Sequence, residues 1–99
     1  MQPMQEKAAD AAAFLKGLAN PHRLLVLCLL SQGERSVTQL LEHINVSQSS
    51  MSQHLARLRD EGMVDYRREH RTLYYYICNP HIARIIGILY DMYCKPDNN

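Results

Sequence analysis

The sequence predicts a mainly α-helical domain interrupted by one β-hairpin. Three observations carry that expectation. Apolar residues recur at helical spacing in five separate stretches, and the pattern changes to strict alternation only between Val64 and Ile77. The pair Asn20-Pro21, repeated as Asn79-Pro80, combines a capping side chain with a proline suited to a first helical turn.

The first helix is expected over residues 8–19, where Ala8, Ala11, Ala12, Leu15 and Leu18 fall at helical spacing and small side chains permit close packing. Asn20-Pro21 starts the second, which runs through Leu30 and stops before Ser31-Gln32-Gly33; its run Leu24-Leu25-Val26-Leu27-Cys28-Leu29-Leu30 is apolar nearly all round, as in a buried central helix. Ser36-Val37-Thr38-Gln39 has capping-box spacing, and Val37, Leu40, Leu41 and Ile44 continue a short third helix. Asn45-Val46 turns the chain into Ser47, the cap of a fourth helix that Gly62 closes. Val64 and Tyr66, then Leu73, Tyr75 and Ile77, alternate in two strands joined at Glu69-His70. Asn79-Pro80 opens the last helix, with a stripe of Ile82, Ile85, Ile86, Leu89 and Tyr93 ending near Cys94. Two short helices joined by a turn, followed by a hairpin, make a winged helix-turn-helix of five helices. The apolar stripes of the first and last helices exceed what so small a core can cover, which predicts a homodimer through those two helices.

The fourth helix has an apolar back and a short, polar front. At about 100° per residue, Met51, Leu55 and Leu58 share one sector, while Ser49, Gln53 and Ala56 point the other way, flanked by Ser52 and Arg57. Hydroxyl and amide side chains of this size can approach the floor of a groove, and glutamine offers the paired donor and acceptor that match an adenine edge. Ser49, Ser52 and Gln53 are therefore the candidate reading face for duplex DNA, with Ser47 and Gln48 at the start of the helix also expected to contact it. Arg57, with Arg67, Arg68, His70 and Arg71 at the hairpin tip, would hold phosphates and position the protein without reading sequence. Only Glu69 opposes the charge at that tip within the hairpin sequence. His54, beside the buried sector, reads as a hydrogen-bonded packing residue, and Tyr74, Tyr75 and Tyr76 read as packing of the hairpin on the body.

A length of 99 residues fits a single domain over 1–99, with a disordered tail at about 95–99. The net charge of +1 excludes binding by bulk electrostatics, so any basic footprint must be local. There is no apolar run of about 18 residues and no leader-like N-terminus, which predicts a cytoplasmic protein without a membrane partner. Three widely spaced cysteines, Cys28, Cys78 and Cys94, support neither a secreted disulfide framework nor a metal knuckle. No nucleophile elbow, phosphate loop or paired carboxylates point to an enzyme, and no cofactor is called for.

The segments Asn20-Pro21-His22-Arg23-Leu24-Leu25, Leu55-Ala56-Arg57-Leu58-Arg59-Asp60-Glu61-Gly62-Met63-Val64 and Arg71-Thr72-Leu73-Tyr74-Tyr75-Tyr76-Ile77 together resemble the ArsR/SmtB family of bacterial winged-helix repressors. The resemblance spans roughly residues 8–94 and implies a bacterial homodimer that holds a palindromic double-stranded operator until an inducer releases it. The family's metal sites are not matched. The third helix lacks the closely spaced cysteines of arsenic and cadmium sensors, and Asn79-Pro80-His81 begins a zinc-like pattern in which Met92 stands where a second His is needed. The placement of Cys28 and Cys94 instead resembles the dithiol branch, the BigR, SqrR and HlyU-like regulators. That implies a redox switch at Cys28 and Cys94 responding to persulfide or oxidant, with Cys78 incidental. The alternatives are a metal-responsive member with a non-standard site, using Cys28, Cys94, His22 or His81, and a DNA-binding regulator without an inducer.

Overall fold

The computed structural model describes residues 3–94, in the order α1 (Pro3–Leu18), α2 (Pro21–Leu30), β1 (Arg35–Ser36), α3 (Val37–Leu41), α4 (Gln48–Asp60), β2 (Val64–Glu69), β3 (Thr72–Ile77) and α5 (Pro80–Tyr93). The tail expected at 95–99 lies outside the described residues. The chain is a winged helix-turn-helix of five helices, with the wing widened to three antiparallel strands in the order β1-β3-β2.

Local chemistry sets most boundaries. Asn20 is extended (φ −155°, ψ 127°), and its Oδ1 accepts from the backbone N–H of His22 at 2.9 Å and of Arg23 at 3.0 Å, so α2 starts at Pro21. Val26, Leu27 and Leu30 of this helix are buried. Leu25 remains 48% exposed, so α2 is not enclosed on all sides as its apolar run suggests. The α1 and α2 axes bend by 84°, and Arg23 braces the corner by donating from Nε to the Gly17 carbonyl at 2.6 Å. Gly17 is buried here, and a Cβ would lie 3.0 Å from Glu61 Oε1 and 3.1 Å from Met63 Cε, so a larger residue would require the ends of these two side chains to shift. α1 also begins earlier than the alanine spacing indicates. Its inner face is Ala11, Phe14 and Leu18, while Ala8, Ala12 and Leu15 stay exposed.

Both halves of the Ser36 capping box form: Ser36 Oγ accepts from Gln39 N at 3.2 Å, and Gln39 Oε1 accepts from Ser36 N at 2.9 Å. α3 stops at Leu41 rather than continuing to Ile44, although Ile44 is still buried because its N–H bonds to the Leu40 carbonyl at 3.0 Å. Strand β1 has no signal in the sequence, since two residues are too few to show alternation. α4 buries Met51, Leu55 and Leu58 and ends in a Schellman motif. Gly62 adopts φ +74°, its N–H bonds to Arg59 O at 3.0 Å, and Met63 N–H bonds to Leu58 O at 3.0 Å.

The hairpin register runs from Val64↔Ile77 to Glu69↔Thr72, so the turn is His70-Arg71, one residue beyond the expected Glu69-His70. His70 takes the left-handed conformation there (φ 59°), which histidine tolerates better than branched residues do. Asn79 caps α5 by accepting from His81 N at 2.9 Å. Ile82 and Ile86 are buried, with Ile85 and Leu89 packed against them, but the stripe does not extend to Tyr93, which is 78% exposed. Ile88 (60%) and Met92 (62%) are also open, and no single helix among the described residues is long and apolar enough to cross a membrane.

Because Leu27 is wholly buried on the central helix, Leu27→Ala should cost about 2–5 kcal/mol in urea unfolding at fixed protein concentration. Loss of the Asn20 cap by Asn20→Ala should cost about 1 kcal/mol. Equal midpoints for Leu27→Ala and wild type would show that α2 does not anchor the core.

Candidate nucleic-acid interface and thiol groove

The polar front of α4 is presented by the burial of its back. With Met51, Leu55 and Leu58 fixed in the core, Ser49, Ser52, Gln53 and Ala56 all emerge into solvent, and Gln48 stands exposed at the first turn. Ser47 Oγ caps the helix by accepting from Ser50 N at 3.1 Å and lies 3.2 Å from Ser49 Oγ. Gln48, Ser52 and Gln53 make no side-chain hydrogen bond among the described residues, so their donors and acceptors are available to a ligand. His54 is half-buried and packs by ring contact, with the His22 ring centroid 5.6 Å away, rather than through the hydrogen bond expected of it. Burial, then the nearby charges of Arg23 and His22, hold its pKa below the ordinary imidazole value, which keeps it neutral near pH 7.

The basic residues divide into three groups. Arg57 makes one exposed (i, i+4) ion pair with Glu61 at 3.1 Å. Arg68, His70 and Arg71 are exposed at the wing with no ion pair among the described residues. Arg67 differs from both: Nε and Nη2 donate to Glu34 at 2.9 and 2.5 Å, and Nη1 donates to Glu69 at 2.7 Å. Glu69 is thus not the only acid at this charge cluster, because folding brings Glu34 to it from 33 positions away in sequence. Arg59, which carried no assignment in the sequence, ties α4 to the hairpin. It pairs with Asp65 at 3.0 Å and lies 4.3 Å from the centroid of the Tyr66 ring, which meets Tyr75 edge-on at 5.4 Å. The hydrogen bond from Arg59, helped by the Tyr66 N–H, holds the Asp65 carboxyl below its usual pKa.

Cys28 and Cys94 both line a second feature, an open groove of about 1390 Å³ between α2, β3 and α5. Leu25, Tyr76 and Tyr90 line it with both cysteines, and loop 31–34 forms one wall. Cys28 is partly buried, and burial followed by the proximity of Cys94 raises its thiol pKa above the ordinary 9.0. Cys94 is exposed at the C-cap of α5. Cys78 lies outside this groove, exposed, with its thiol 3.5 Å from the Gly62 carbonyl. No cluster of three or more His, Cys, Asp or Glu suited to a metal occurs among the described residues; His81 contacts Arg84 instead.

A helix-turn-helix whose second helix exposes a polar face, followed by a basic wing, is the architecture of a DNA-binding transcriptional regulator. The chain belongs to the ArsR family of bacterial regulatory proteins, whose model matches residues 20–66. It is 41% identical over 96 residues to the biofilm growth-associated repressor of Agrobacterium fabrum, covering 97% of this chain and 82% of that protein. The structure of reduced HlyU from Vibrio cholerae superimposes with a TM-score of 0.89 at 39% identity, covering 96% of this chain and all (100%) of that one. The homodimeric winged helix-turn-helix DNA-binding domain Mb0332 from Mycobacterium bovis gives a TM-score of 0.79 at 31% identity, over 93% of this chain and 86% of that one.

The greater exposure of Cys94, together with the raised pKa of the partly buried Cys28, gives an order of reactivity. In brief alkylation near pH 7.5 followed by peptide mapping, Cys94 should label before Cys28, and Cys28 should catch up only as pH rises past the ordinary thiol value. Faster labelling of Cys28 at neutral pH would contradict its burial.

Proposed function

We propose that this regulator binds a palindromic operator as a homodimer and that thiol chemistry at Cys28 and Cys94 controls its release. The observation that carries the control is the arrival of the two cysteines, from α2 and α5, in one groove. The close likeness to a relative whose structure is that of a reduced protein supports the same reading.

Cys94 is the entry point. Its thiolate attacks the outer sulfur of a persulfide, RS–SH, becoming a persulfide itself while RS⁻ leaves and takes up a proton. Thiolate from Cys28 then attacks the inner sulfur of that group, forming a Cys28–Cys94 disulfide and expelling HS⁻. With hydrogen peroxide the first step gives a sulfenic acid and hydroxide, and capture by the second thiol releases water. Either route reduces the inducer by two electrons and oxidises the two thiols.

On the DNA side, Ser47, Gln48, Ser49, Ser52 and Gln53 enter the major groove, with Arg57, Arg68, His70 and Arg71 on phosphates. The single exposed pair of Arg57 with Glu61 is worth at most about 0.5 kcal/mol and exchanges readily for a phosphate. Arg67, flanked by carboxylates, is left out of this set. The dimer uses the uncovered apolar residues of α1 and α5, Leu15, Ile88 and Met92 among them, as the homodimeric state of Mb0332 supports. A two-fold pair of α4 helices then addresses successive major grooves about 34 Å apart.

Two experiments test these assignments, using a duplex selected by the protein from a random library. Gln53→Ala should cut discrimination between selected and random duplex by about tenfold, as expected of one bidentate base contact. Arg68→Ala should weaken both alike and reduce the salt slope by about one. Unchanged discrimination in a Gln53→Ala, Ser49→Ala double variant would remove the reading role from α4. For the switch, sodium polysulfide or peroxide should lower wild-type affinity with formation of a Cys28–Cys94 cross-link seen by peptide mapping, and Cys28→Ser should abolish both. A polysulfide response that survives in Cys28→Ser would overturn the pairing.

A further inference from the structure

Arg67 occupies an unusual position in the wing. It lies on β2 directly opposite Tyr74 of β3, and Tyr74 is in turn opposite Ser36 of β1. The side chain runs back across the middle strand, with its guanidinium carbon 4.8 Å from the Tyr74 ring centroid, to reach Glu34 in the loop just before β1. All three guanidinium nitrogens are engaged, two by Glu34 and one by Glu69. One cation is therefore flanked by two anions. A DNA phosphate approaching it would meet two carboxylates at contact range, an arrangement that repels rather than binds.

We propose that Arg67 is a positioning residue and not a phosphate ligand: with Glu34 and Glu69 it latches the wing to the loop between α2 and β1, and so sets where Arg68 and Arg71 sit. The loop it grips is informative. Residues 31–34 form a wall of the groove that contains Cys28 and Cys94, and Ser31 Oγ donates to the Cys28 carbonyl at 2.6 Å. The same short segment is thus fastened at one end to the helix carrying the half-buried thiol and at the other to the wing. A closure between α2 and α5 that shifts this wall moves Glu34, and through the latch it moves the wing. This transmission rests on the thiol reading above, whereas the positioning role of Arg67 in the reduced protein does not.

The test measures binding of the full chain to the selected duplex across a salt series, for wild type, Arg67→Ala, Glu34→Gln and Arg68→Ala. For a latch, Arg67→Ala and Glu34→Gln should weaken binding by similar factors, about two- to fivefold for an exposed pair of this kind, with the salt slope unchanged. Arg68→Ala should lower the slope by about one. A lowered slope in Arg67→Ala, with tighter binding in Glu34→Gln, would make Arg67 a phosphate ligand and overturn the proposal; so would wild-type binding by Glu34→Gln. Both Arg67 and Glu34 are exposed, and a thermal melt confirms that the variants are folded. For transmission, polysulfide-treated Glu34→Gln should still form the Cys28–Cys94 cross-link but lose a smaller fraction of its affinity than wild type. An equal fractional loss would reject transmission through the latch. Absence of the cross-link in wild type would instead reject the thiol reading, with the reduced-protein comparison still deciding the role of Arg67.

Discussion

The packing of α2 is the constraint on which the other elements depend. Val26, Leu27 and Leu30 form the centre of a core to which α4 contributes Met51, Leu55 and Leu58, α5 contributes Ile82 and Ile86, and the wing contributes Val64. Burying each such side chain is worth about 1.5–3 kcal/mol, so α4 is held mainly by its apolar back. That leaves its front without a structural duty. Short serine and glutamine side chains can occupy it because stability is provided from the other side. The same helix carries Cys28, so a half-buried thiol sits on the element against which the reading helix is fixed.

The extent to which the sequence is legible follows from the range of the interactions. Asn20, Ser36, Ser47 and Asn79 are caps that act within a few residues, and each bonds as its spacing indicates. Gly62 is equally local, needing only a positive φ after a helix. Several features without a sequence signal are contacts between distant segments, whereas the end of α3 and the one-residue shift of the hairpin turn are local. Glu34 gives no signal near Arg35, because its partner Arg67 is 33 positions away and the crossing exists only after β1 joins β3. His54 finds His22 across two helices, and β1 is defined by its register with Tyr74 and Tyr75 rather than by its own pattern. The stripe on α5 misled at Tyr93 for a related reason: periodicity identifies a face, but the length of the core beneath decides where that face ceases to be covered.

A near-neutral chain can bind a polyanion only if its charges are sorted, and folding does that sorting. Arg59 is committed to Asp65 and Tyr66, Arg67 to Glu34 and Glu69, and Arg23 to the carbonyls that end α1. Each of these arginines bonds one segment to another. Arg68, His70 and Arg71 remain without an ion pair at the tip among the described residues, so the wing offers fewer uncommitted cations than its sequence count of basic residues. Composition alone overstates the footprint because it cannot separate cations that brace the fold from cations that face a ligand.

The groove and the uncovered faces of α1 and α5 bring two demands onto one helix. α5 sends Ile82 and Ile86 into its own core, leaves Ile88 and Met92 open, and ends at Cys94 beside the groove. Ala83 and Gly87 lie on its exposed side, and a Cβ at Gly87 would meet no atom within 4 Å. Under the proposed dimer and thiol control, a bond between α2 and the end of α5 would therefore join the frame of the reading head to the element that sets its distance from the partner's. Two heads that must match a fixed helical repeat tolerate little change in that distance, so a displacement small within one protomer is sufficient to spoil simultaneous docking of both.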